Sequence, residues 1–426
     1  MNAFDLAATV ITIAAVSGYL NYRFLRLPPA SGTLTVALVS SVLVIAVDAA
    51  FPQLAIQRTV GRFVGRIDFN QMLMRGMLAF LLFAGALQLD LGALLDSKWT
   101  IGTLATVGVV ISTVIVGGLM WLAFVALHAG VPLPECLVFG ALISPTDPIA
   151  VMGMLKELRA PRSLEAQIAG ESLFNDGIGV VLFVALVSLA GLSGPGETTI
   201  APGAVSLVWF FLREVLGGAV LGGGFGYLAY RALARIDDHP LELLITIALV
   251  MLTYALSFPL GVSGPIGVVV AGLIIGNTGR RLAMSERTRD HVDAFWNMID
   301  EILNAVLFLL LGLQVFAVSA GPRPVVAGLA SIAVALLARL VSVAIPVAVI
   351  GRRGGFTRGI IPILTWSGLR GGLSVAMVLS LPAFPARDLL LSCTYAIVVF
   401  SILAQGLTVR RVLVHYGVGD GEPSTI

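Results

Sequence analysis

Ala169-Gly170-Glu171-Ser172-Leu173-Phe174-Asn175-Asp176-Gly177-Ile178-Gly179-Val180-Val181-Leu182-Phe183 is an apolar run whose head carries two carboxylates, a carboxamide and a hydroxyl. Helical spacing sets Glu171 one turn from Asn175, and Ser172 one turn from Asp176. If this run crosses a membrane, ionised groups inside it are costly and mark function. The rest of the chain decides whether it does. The sequence is 58% hydrophobic and 12% charged, against about 25% charged for a soluble domain, and its mean hydropathy is +0.99. Apolar stretches of spanning length, about 20 residues, recur from end to end. They are continuous rather than alternating, which excludes a β-barrel. The expected fold class is an all-α polytopic membrane protein.

About thirteen spans are predicted, near 3–21, 30–50, 70–88, 100–127, 132–154, 164–193, 203–230, 240–259, 262–277, 294–318, 324–350, 357–380 and 387–409. The connections are short, leaving room for one membrane domain over 1–412 and a short tail over 413–426. Met1-Asn2-Ala3-Phe4-Asp5 has no basic n-region, so no cleavable leader is expected. With the N-terminus outside, seventeen Lys and Arg residues, Arg23, Lys156 and Arg162 among them, fall on the cytoplasmic side and seven on the other. That bias sets the C-terminus in the cytoplasm of a cell membrane. The loop with Arg58, Arg62 and Arg66 is the discordant one. Cys136 and Cys393 lie in apolar surroundings without metal-ligand spacing and read as core residues. A net charge of +2 makes no case for nucleic acid.

Two spans are interrupted. Ser144-Pro145-Thr146-Asp147-Pro148 holds two prolines, each removing an amide donor and pushing the preceding residue out of the helical region. The expected result is an unwound point beside Asp147, tolerated at this depth only where it is buried in protein or lines a cavity. Pro362 and Gly368-Leu369-Arg370-Gly371-Gly372 interrupt the twelfth span. Taking about 1–193 as one repeat, about 203–230 as a linker helix and about 240–412 as the second repeat, the breaks occupy the fifth span of each half. Paired interruptions point to an inverted-repeat transporter with its site at the midplane. Inside the spans remain Arg339 and Arg370 against Asp147, Glu171 and Asp176, with Asp300 and Glu301 nearer a helix start. The excess is acidic, which suits a cation.

Ile143-Ser144-Pro145-Thr146-Asp147-Pro148-Ile149-Ala150-Val151 and the Glu171–Phe183 stretch resemble the NhaP- and NHE-type cation/proton antiporters, the CPA1 branch. So do Phe295-Trp296-Asn297-Met298-Ile299-Asp300-Glu301-Ile302-Leu303-Asn304-Ala305-Val306-Leu307-Phe308 and Trp366-Ser367-Gly368-Leu369-Arg370-Gly371-Gly372. The resemblance implies two inverted six-helix repeats in which helices five and twelve are broken and cross. It implies that Asp176 is the ion- and proton-binding carboxylate, and that Asp147, Ser172 and the Thr146 carbonyl complete an oxygen cage. Glu171 would pair with Arg339 and also hold Asn175, and Arg370 would hold the crossing. A homodimer in the lipid bilayer is implied as well, with no cofactor beyond the transported Na+ and H+.

The chemistry of these residues agrees. Sodium is a hard cation that favours carboxylate, carbonyl and hydroxyl oxygen, and a proton competes for the same oxygens. Competition at one alternating-access site is antiport. The electrogenic branch resembles this stretch with two adjacent aspartates. Asn175 stands at the first of those positions and cannot carry a second proton, so one-for-one electroneutral exchange is expected. One departure concerns selectivity. Phe83-Ala84-Gly85-Ala86-Leu87 has Ala84 where many bacterial relatives carry glutamate, so Li+ and K+ stay open beside Na+. Two other functions fit parts of the sequence. Gly261-Val262-Ser263-Gly264 fits the pattern of an intramembrane serine protease, but no histidine falls within a span to act as base, and no enzyme is expected. A cation channel would not need paired broken helices or a buried Glu171/Arg339 pair.

Overall fold

In the computed structural model, residues 3–51, 53, 60–61, 69–194, 200, 203–280, 284, 286–317, 321–351, 356 and 359–419 are described, and the regular elements among them are all helical. The Arg58/Arg62/Arg66 loop, Arg281, Arg352, Arg353, Arg358 and the tail beyond 419 lie outside the described residues. Among the described residues, ten helices are long and apolar enough to cross a bilayer. They are α1 (Ala3–Leu20), α2 (Pro29–Ala50), α3 (Phe69–Gln88), α4 (Lys98–Ala126), α7 (Arg162–Leu189), α8 (Ala204–Leu233), α9 (His239–Leu260), α11 (Glu286–Leu313), α12 (Pro322–Ile350) and α15 (Arg387–His415).

The other three expected spans are shorter or broken, for reasons legible in their residues. Pro145 and Pro148 divide the fifth into α5 (Leu133–Ile143) and α6 (Ile149–Glu157), and Gly368 and Gly371 divide the twelfth into α13 (Ile360–Ser367) and α14 (Gly372–Ser380). The ninth is the short α10 (Gly264–Gly279), and Ser263 accepts from the Ile266 amide at its start. That serine caps a helix, which accounts for it without a nucleophile. The last helix runs to His415, past the expected span end near 409, and its added turn buries Leu413.

Packing follows from small residues and aromatic wedges. Gly222 of α8 lies so close to the Gly267 backbone of α10 that a Cβ would overlap it, the close approach that small residues give membrane helices. Trp296 of α11 is buried, packs 4.6 Å between ring centroids from Phe83 of α3, and donates to Thr246 Oγ1 of α9 at 3.1 Å. A second apolar cluster, with Phe139, Leu142, Phe183, Met377 and Leu381, fills the space between α5, α7 and α14. The crossing of the broken helices sits at one edge of that cluster.

Candidate functional site

Unwinding at Ser144–Pro148 frees carbonyls at the end of α5, and each needs a donor at this depth. Arg370, in the break between α13 and α14, supplies it. Its Nη1 donates to the Ser144 and Pro145 carbonyls, both at 3.0 Å, while its own amide donates to Ser401 Oγ at 2.9 Å. The two breaks also meet through the backbone, because the Asp147 amide donates to the Leu369 carbonyl at 2.9 Å in an isolated antiparallel bridge. Gly371 faces the Asp147 side chain so closely that a Cβ would collide with the carboxylate. Asp147 Oδ1 in turn accepts from the Ile149 amide at 2.9 Å, satisfying a donor at the start of α6.

Arginine plays the matching part at the other half-helix. Arg339 of α12 forms a two-pronged ion pair with Glu171 of α7, Nη1 to Oε1 and Nη2 to Oε2, the second at 2.9 Å. Both side chains are buried. The same guanidinium donates through Nε and Nη2 to the Leu364 carbonyl at 3.2 and 3.0 Å. That carbonyl belongs to the last turn of α13, which has no helical partner to offer it. Gly368 leaves the space that the Arg339 guanidinium fills. The planar fork suits this double duty, and a lysine would not.

Asn175 is turned away from Glu171. Its Oδ1 accepts from the Thr146 amide at 3.2 Å and its Nδ2 donates to Thr146 Oγ1 at 2.8 Å. The expected Glu171–Asn175 contact gives way because Arg339 occupies both Glu171 oxygens and the proline break leaves the Thr146 amide needing an acceptor. Thr146 Oγ1 also lies 3.0 Å from Ser172 Oγ. One carboxamide and two hydroxyls thus fasten α7 to the unwound segment. Asp176, one turn beyond Ser172, forms no hydrogen bond or ion pair among the described residues. It interacts electrostatically with Asp147 and Arg370.

Thr146, Asp147 and Asp176 line a cavity of about 1730 Å3 that runs out to the helix ends carrying Arg26, Lys156 and Arg162. Ser172 is not on its wall; the Thr146 hydroxyl stands before it. Asp300, Glu301 and Asn304 of α11 complete the wall opposite α6. Asn304 was not singled out from the sequence, although a carboxamide one turn after Asp300 in an apolar run was its signal.

Interrupted helices crossing at buried, partly uncompensated charge, with a cavity reaching that point, define the class as a polytopic membrane transporter. The chain belongs to the family of transmembrane sodium/hydrogen exchangers, whose pattern it matches over residues 11–415. It is 46% identical over 410 residues to the Na(+)/H(+) antiporter NhaP of Pseudomonas aeruginosa, covering 95% of each chain. It is 34% identical over 343 residues to the Na(+)/H(+) antiporter NhaH of Halobacillus dabanensis, covering 80% of this chain and 82% of the relative. Among solved structures, the sodium proton antiporter MjNhaP1 of Methanocaldococcus jannaschii shares the fold, with a TM-score of 0.73 at 17% identity over 97% of this chain and 98% of that one.

Proposed function

We propose that this protein exchanges Na+ for H+ across a cell membrane, one for one, with both ions competing for Asp176. The observation that carries the reading is the free Asp176 carboxylate at the inner end of the cavity, beside Asp147, while the neighbouring Glu171 is consumed by Arg339. A carboxylate already held by a guanidinium cannot trade a proton for a cation without breaking that pair. One that is free and open to water can.

In this reading Asp147 and Thr146 supply further oxygens, and Ser172 and Asn175 hold Thr146 in place. Ser172 reaches the cation only if the Thr146 hydroxyl turns aside. Arg370 and Arg339 neutralise the half-helix ends. The cavity opens on the side rich in basic residues, which the positive-inside rule assigns to the cytoplasm. Beyond the crossing, the apolar cluster of Phe139, Leu142 and Phe183 supports a seal on the opposite side. One-sided access fits alternating access between two inverted repeats and disfavours an open channel. The bilayer is the protein's medium, and a homodimer belongs to the same reading through the family it resembles.

The test is proton flux in everted vesicles, titrated with Na+, Li+ and K+ over a pH series. Sodium should release protons from vesicles bearing the wild-type protein. Asp176→Asn should abolish that release with expression intact, since the swap is isosteric and breaks no ion pair. Sodium-dependent proton release that survives Asp176→Asn would remove Asp176 from its role.

A further inference from the structure

The wall of the cavity opposite α6 holds polar groups that the exchange site leaves unused. Asp300 and Asn304 lie one turn apart on α11, and both face the cavity. Asn304 is 6% exposed, and its Oδ1 is a buried oxygen with no hydrogen-bond partner. Its carboxamide lies beside Asp300 and favours the ionised form of that carboxylate. A carboxylate attracts the amide N–H side of a neighbouring carboxamide, and the Asn304 oxygen is left unclaimed. A buried carbonyl oxygen without a donor costs free energy unless something in the cavity meets it. Asp300 itself is half-buried and lies within electrostatic reach of Asp147 on the inner side and Lys156 on the outer. Beside the carboxylate stands an oriented amide oxygen, which is the donor chemistry of a hard monovalent cation and not of an anion.

We propose that Asp300 and Asn304 form a second cation station on the cavity wall, between the mouth and Asp147/Asp176, where an entering cation exchanges part of its hydration shell before reaching the crossing. The station rests on the exchange reading above. Cavity walls of low dielectric focus the field of one carboxylate onto the ion path. Asp300 therefore acts on cation occupancy, and the proton-trading step stays with Asp176.

The experiment is sodium-dependent proton flux in everted vesicles at fixed pH, fitted separately for half-saturation and maximal rate. Asp300→Asn, which removes one charge from the entry path, should raise the half-saturating Na+ concentration on the order of tenfold and leave most of the maximal rate. Asn304→Leu should raise it several-fold, and Asn304→Asp, which keeps an oxygen there, should restore affinity to near the wild-type value. Unchanged half-saturation in Asp300→Asn, with normal wild-type flux, overturns the station while the exchange reading stands. Absence of flux in the wild type overturns the exchange reading itself. A binding measurement covers variants with low flux. Purified Asp176→Asn protein should keep a weak Na+-dependent rise in melting temperature that adding Asp300→Asn removes. A rise that is identical with and without Asp300 overturns the proposal.

Discussion

Arg339→Ala should be the most damaging single change in the interior. The substitution deletes both prongs of the pair with Glu171 and both donors to the Leu364 carbonyl. It leaves a carboxylate that is 1% exposed with nothing to balance it. Removing one partner of a buried ion pair costs about 3–5 kcal/mol, and an orphaned carbonyl adds about 1–3 kcal/mol less any relaxation. Scaled from smaller domains to this chain length, each kcal/mol moves a thermal midpoint by roughly 1–2 °C. The expected fall is therefore on the order of 10 °C. Unfolding of a membrane protein is commonly irreversible, so the assay is apparent: soluble, monodisperse protein remaining after a heating series, read by size exclusion at one scan rate. The companion variant is Glu171→Gln with Arg339→Met. It removes both charges together and leaves only neutral groups unmet, the Leu364 carbonyl and the new carboxamide at position 171, so it should recover part of the loss. A double variant no more stable than Arg339→Ala, or an Arg339→Ala midpoint within about 1 °C of wild type, would refute the pairing argument.

Three further outcomes follow from the crossing. Asp176→Asn should keep the wild-type midpoint in that heating series while losing exchange, which separates it from Arg339→Ala. Gly371→Ala places a methyl against the Asp147 carboxylate; transport should fall at least tenfold, and a variant with normal flux would mean that the two breaks separate more easily than their contact implies. In proteoliposomes clamped at zero potential, adding sodium should move protons without net current. A steady sodium-evoked current would exclude one-for-one exchange.

Much of this arrangement was legible because its parts announce themselves locally. The prolines at 145 and 148 remove donors wherever the segment lies, so the break beside Asp147 follows from the sequence alone. The pairing of Glu171 with Arg339 spans 168 residues, and no local pattern specifies it; family resemblance supplied it. Asn175 illustrates the limit of helical spacing. One turn from Glu171, it was expected to bond there, yet tertiary demand won: the Thr146 amide, stranded by Pro145, needed an acceptor, and Glu171 was already filled. Asn304 escaped notice for a related reason. A carboxamide in an apolar helix is ordinary until a cavity is known to open beside it, and the cavity is made by α6, α7 and α14, which are remote in sequence.

On the proposed reading, the charges at the crossing also account for one proton and one sodium ion being alternatives. With every group ionised, Arg339 and Arg370 contribute two positive charges, and Glu171, Asp147 and Asp176 contribute three negative ones. These five groups at the crossing then sum to one net negative charge. A single proton or a single monovalent cation brings the sum to zero; both together would leave it positive. Moving net charge through the low-dielectric middle of a bilayer is costly, so the two neutral forms are the ones that change access readily. Asn175 keeps the count at this value, because aspartate there would add a fourth negative charge and require a second proton or cation. On the proposed reading, the two arginines do more than secure the ends of the half-helices. They set the balance against which Asp176 exchanges its ion, and so tie the stoichiometry of transport to the same contacts that hold the broken helices together.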